Sequence, residues 1–183
     1  MTRPTVEKVI GLVYGAGGQK AEVVYSDYGS SLDKWAAVNR LEEPKTSGGI
    51  QLLLSNQALV QLPADEIAHI LPDRTGVLVV FDATTPPVIE GLPDFHSPHN
   101  AAIFNADGRL RFRLNVSQGL YIHSPFNRTL TETDGDLSTK REPINPPQEQ
   151  YGVLVGHEGH LPDQFFLFDG TAELKATNFY VKY

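Results

Sequence analysis

A chain of 183 residues, 40% of them hydrophobic, is long enough to bury a sizeable core. Its formal charge of −7 argues against nucleic acid or an anionic membrane as partner, since both need clustered Lys and Arg, and points instead to a basic protein. Without Cys the chain can hold no disulfide, thiol nucleophile or Cys-ligated zinc.

The 16 Gly and 13 Pro are spread without period, which suits many short strands joined by turns, and no internal repeat is evident. The first ten residues carry charges inside their apolar run and no signal-type core. No window approaches the roughly 18 apolar residues of a membrane span, so a cytoplasmic location is expected.

In chain order, Val6, Val9, Ile10, Leu12 and Val13 lead through Gly15, Gly17 and Gly18 to Ala21, Val23 and Tyr25, a predicted first hairpin. Ser30 and Ser31 can accept N–H bonds from a helix start. With Leu32, Trp35, Ala36 and Val38 as an apolar face, they predict a short helix over 31–41, stopped by Pro44 and a 46–49 loop. Apolar runs at 50–54 and 58–62 flank Ser55, Asn56 and Gln57 as a second hairpin. Pro63, Asp65 and Glu66 suit the first turn of another helix, with Ile67, Ile70 and Leu71 as its buried side and Pro72 as its end. The unbroken apolar run at 76–81 predicts a central strand covered on both faces, and the Pro-rich 84–100 stretch a long connection.

Asp107 and Gly108 give the strongest hairpin signal, spanning 101–115, because this pair tolerates the positive φ of a tight turn. Alternation after the turn predicts Leu110, Phe112 and Leu114 on the buried face and Arg109, Arg111 and Arg113 on the other. A short strand is expected at 120–123 and a long polar loop near 127–150. Strands resume at 151–155, 164–168 and 178–183, with a turn at Asp169 and Gly170. The expected fold is α+β: one domain over 1–183, mainly antiparallel sheet of about six to ten strands, with one or two short helices.

Residues 15–18 invite a phosphate-binding reading, but the β-branched alternation that follows lacks the helix such a loop needs, so a hairpin turn is expected. His96 with His99, and His157 with His160, are three residues apart, with His123 between the pairs. Imidazoles with Glu158, Asp94 or Asp163 could bind a borderline divalent metal. The helical His-Glu-x-x-His offset is nevertheless absent, and Gly159 and Pro162 disfavour a helix there. No Gly-x-Ser-x-Gly elbow is present, and carboxylate pairs for sugar hydrolysis leave no local motif. The three arginines could form an anion-binding strip, but a solvated face is the expectation. No catalytic residue, metal or cofactor is therefore expected. Glu132, Asp134 and Asp136 on the polar loop are the predicted partner-binding residues, suited to steering a basic protein.

The hairpin from Ile103 to Phe112, the strand from Val153 to Gly156 and the turn at Phe168, Asp169 and Gly170 resemble the small immunity proteins that protect bacteria from their own polymorphic, contact-delivered or secretion-system toxins. The resemblance covers mainly residues 101–183. It implies a cytoplasmic, acidic, non-catalytic protein that binds one cognate toxin and blocks its active site or substrate access, and it supplies no catalytic residues. Two other classes remain: a metal-dependent hydrolase or cupin-like enzyme built on the histidines, and an accessory β domain of a larger assembly.

Overall fold

The computed structural model of the chain describes residues 3–25, 33–64, 66, 68–82, 88–130, 148–157 and 160–181. Antiparallel sheet dominates. Strands β1 (Val6–Tyr14), β2 (Lys20–Tyr25), β3 (Thr46–Leu54) and β4 (Leu59–Gln61) form a first sheet in the order β2-β1-β3-β4. A second contains β5 (Ala68–Ile70), β6 (Gly76–Val80), β7 (Ala101–Asn105) and β8 (Leu110–Arg113), each beside its sequence neighbour. The third contains β9 (Tyr121–Leu130), β10 (Gln148–His157), β11 (His160–Leu167) and β12 (Lys175–Val181), also in sequence order. The described residues thus hold twelve strands, more than composition led us to expect, and they fall into three consecutive groups of four. No residue pattern in the sequence revealed this grouping, and the first sheet differs from the other two in strand order.

The β5–β8 sheet is the middle layer, because side chains alternate across a strand. Val77, Val79, Ala102 and Phe104 join Val6, Val9, Ile50 and Leu52 in one core, facing the first sheet. Their neighbours Leu78, Ala101 and Ile103 join Ile122, Val153 and Val155 in a second core, facing the third sheet. A strand covered on both faces needs an unbroken apolar run, which 76–81 supplies as expected. Val6 N–H donates to the Arg74 carbonyl at 2.8 Å, tying β1 to the turn before β6.

The β1–β2, β3–β4 and β7–β8 hairpins form as expected. Gly108 sits at the β7–β8 turn with φ +79°, a conformation that the Asp-Gly pair anticipated. At the β11–β12 turn, the Lys175 ammonium and the Thr171 hydroxyl hold the Asp169 carboxyl down at about 2.

Several expectations are corrected. The second helix is absent: Ala68 and Ile70 pair with Val79 and Val77 in β5, while residues 65 and 67 lie outside the described ones. Ile70 packs on the first core and its neighbour Leu71 on the second, an alternation that suits a strand between two layers rather than one helical face. The first helix, α1 (Asp33–Asn39), is seven residues long and packs through Val38 on Ala21 and Val23, whereas Ala36 is exposed. Ser30, Ser31, Leu32 and the Trp35 side chain lie outside the described residues. The 46–49 loop is instead the start of β3, paired with Leu12, Val13 and Tyr14.

A further correction concerns register. Ile103 pairs with Phe112 but Phe104 with Leu110, so Arg111 is an extra residue in a β-bulge. Across the bulge the face inverts. Leu110 packs on the first core, while Phe112 packs on the second, where Leu114 is buried. The apolar set therefore straddles the sheet rather than lining one face.

Candidate functional site

The third sheet carries candidate sites at opposite ends of β9 and β10. At the β9 start, Tyr121 pairs with Gly156, and His157 pairs with His160 across the β10–β11 turn. His123 on β9 lies at an irregularity in the β9–β10 ladder, between the Ile122 and Ser124 pairings. Its Nδ1 is 2.7 Å from Oδ2 of Asp163 on β11, so the pair reaches across the middle strand. Gly156 makes this possible, since a Cβ there would overlap the Asp163 carboxylate.

The Asp163 side chain is 3% exposed and that of His123 49%, so a buried carboxylate orients an imidazole that water can reach. The hydrogen bond to the carboxylate fixes the orientation of the imidazole ring on the sheet. The Tyr121 ring meets His123 edge-on, with centroids 6.2 Å apart.

The 96–99 turn reaches the same end of the sheet. Ser97 Oγ donates to the Leu120 carbonyl at 2.8 Å, and Asn100, 1% exposed, grips Ile122 through both its N–H and its carbonyl at 2.8 and 2.7 Å. The segments bearing His96, His99, His123, His157 and His160 therefore meet. Among the described residues no group of three His, Cys, Asp or Glu is arranged to hold a metal, and the His160 side chain lies outside them.

At the other end, Leu130 pairs with Gln148, Thr129 with Glu149 and Arg128 with Gln150. β11 pairs with β10 only from Gly152 onward, so these three pairs form a two-stranded ribbon running past the sheet. Residues 127–130 and 148–150, expected as loop, are strand; their polar composition gave no alternation to read. The predicted partner-binding residues Glu132, Asp134 and Asp136 lie in 131–147, outside the described residues, and the ribbon holds both ends of that segment.

The three arginines do not form a strip. Arg109 lies 4.0 Å from the Asp107 carboxylate, both exposed; Arg113 donates to the Asp94 carbonyl; Arg111 turns toward Asn105 and Thr75. The glycines at 15–18 form the β1–β2 turn, closed by Gly18 N–H to the Gly15 carbonyl, and β2 rather than a helix follows.

Sequence reasoning named Asp163 only as one of several possible ligands and missed Asn100 and Gly156. A glycine within an apolar strand run was the one local signal for the last. Fold and sites together define a mainly antiparallel β protein of three stacked sheets, and no helix among the described residues is long and apolar enough to cross a membrane. No protein-family model matches the chain, and no curated protein or solved structure matches it.

Proposed function

We propose that this chain is a non-catalytic immunity protein that binds a basic cognate toxin domain in the bacterial cytoplasm and occludes its active surface. The observation that carries the proposal is the β9–β10 register, which anchors both ends of the acidic 131–147 segment on a ribbon beyond the sheet. Charge presented there, on a molecule of net charge −7, would raise the rate of encounter with a basic partner and set its orientation. Reversing Glu132, Asp134 and Asp136 to Lys should slow association with a toxin domain and flatten its salt dependence while leaving the fold intact. Stopped-flow association at low and high salt tests this. An unchanged rate and salt slope would remove Glu132, Asp134 and Asp136 from the interface.

The His123–Asp163 pair favours a second reading, a histidine-based hydrolase, because a buried carboxylate orienting a half-exposed imidazole is an arrangement suited to general-base work. Stoichiometric zinc in purified protein that disappears when His157 and His160 are replaced, or ester hydrolysis that disappears in Asp163→Asn, would establish it over the binding role.

A further inference from the structure

We infer that the cleft between the first and central sheets is a binding site for a small organic carboxylate with an apolar tail. The cleft has a volume of about 560 Å³, within the range of ordinary small-molecule sites. Its apolar wall comes from Pro4, Leu54, Val60 and Ala106, and its cationic edge from Arg3 and Arg111.

Three features aim Arg111 into this cleft. The bulge makes it the extra residue of β8, and bulges re-aim side chains in this way. Gly76 is required first by the Phe104 carbonyl, which a Cβ there would overlap, and the guanidinium packs beside the same position, its NH2 group 3.2 Å from where that Cβ would lie. Asn105 and Thr75 then fix its orientation: Nε donates to Asn105 Oδ1 at 2.7 Å, and NH2 donates to the Thr75 hydroxyl at 2.8 Å and carbonyl at 3.0 Å. NH1 has no acceptor among the described residues. A guanidinium held along one edge and open on the other is prepared for a charge-assisted bond to an incoming carboxylate.

Asp107 is the anionic residue of the cleft lining. Its carboxylate caps its own turn, accepting from Arg109 N–H at 3.1 Å, and its charge faces the Arg109 guanidinium at 4.0 Å. Arg3 and Arg111 therefore leave the lining with net positive charge beside an apolar wall. An amphipathic monocarboxylate fits that combination better than a phosphate, which would need more donors, or a neutral apolar ligand, which would leave the cations unused.

Sodium octanoate serves as the probe, with 1-octanol as its neutral analogue, and binding is read from methyl NMR shifts of Leu54, Val60 and Ala106. Octanoate should bind at least tenfold more tightly than octanol. Arg111→Met should weaken it at least tenfold and Arg3→Gln severalfold, with both variants retaining the native methyl spectrum. If Arg111→Met does not fold, Arg3→Gln, which changes an exposed side chain, carries the test alone. Octanoate that fails to bind, binds no better than octanol, or is unaffected by Arg3→Gln would overturn the proposal. Toxin binding enters none of these measurements, so the immunity reading stands or falls separately.

Discussion

Asn100 does at one point what a strand pairing would do over several residues. Its amide donates to the Phe81 carbonyl at 3.1 Å as well as gripping Ile122, so one buried side chain joins the end of the central sheet to the start of β9. Asn100→Ala would leave buried backbone groups unpaired and should cost about 3 kcal/mol in urea titration, since each orphaned group carries its own desolvation penalty. A loss near zero would mean that water replaces the amide. His69 on β5 is the residue to watch on the acid side. Burial lowers its pKa below the ordinary 6.5, so below that pH the unfolded chain binds a proton that the folded one resists. Its contribution is therefore complete above about pH 6.5 and is lost as the pH falls toward the lowered folded value. His69→Leu should lose less stability than wild type between pH 6.5 and 4.5; parallel curves would show that the folded protein accommodates the charge.

Within β7–β8, one inserted residue decides what its neighbours are worth. Phe104 is fully buried between the first and central sheets, whereas Phe112, moved to the other face by the bulge at Arg111, is only partly covered beside Phe168. Phe104→Ala should cost about 3–5 kcal/mol as a cavity in a closed core. Phe112→Ala should cost about 1–2 kcal/mol, in proportion to its smaller burial, and not the full aromatic penalty that unbroken alternation implies. Equal losses in guanidinium titrations would mean that the ladder runs without a bulge. The same element shows why the arginines could not be read as a strip. Strict period-2 places all three together, and a single extra residue sends Arg111 into the cleft and leaves Arg109 at the turn.

At the scale of the molecule, the central sheet belongs to both cores. Val77 and Leu78 are adjacent in β6 yet lie in different cores, so loss of either outer sheet strips one face of every central strand. Thermal unfolding followed by calorimetry and by far-UV circular dichroism should therefore give one coincident transition. Two separated transitions would show that the first and third sheets unfold independently.

Strands came through clearly in the sequence wherever burial is one-sided or total: the alternation of β2, the unbroken run of β6 and the Asp-Gly turn after β7 each reflect a local rule acting on the backbone. Helix and strand could not be separated for 63–71, because so short an apolar cluster fits either period until β6 offers Ala68 and Ile70 hydrogen-bonding partners. Nor was the ribbon of 127–130 with 148–150 legible, since polar residues paired only with each other carry no burial pattern. The candidate sites were less legible still. His123 and Asp163 are 40 positions apart, and their meeting depends on β9, β10 and β11 lying side by side and on the missing side chain of Gly156. By itself the sequence determined composition, charge, hairpin turns and the two-sided burial of the β6 run, because each follows from neighbouring residues. Tertiary structure alone decided the layer order, the bulge and the pairing of distant polar groups, because those depend on which strands come to share an edge.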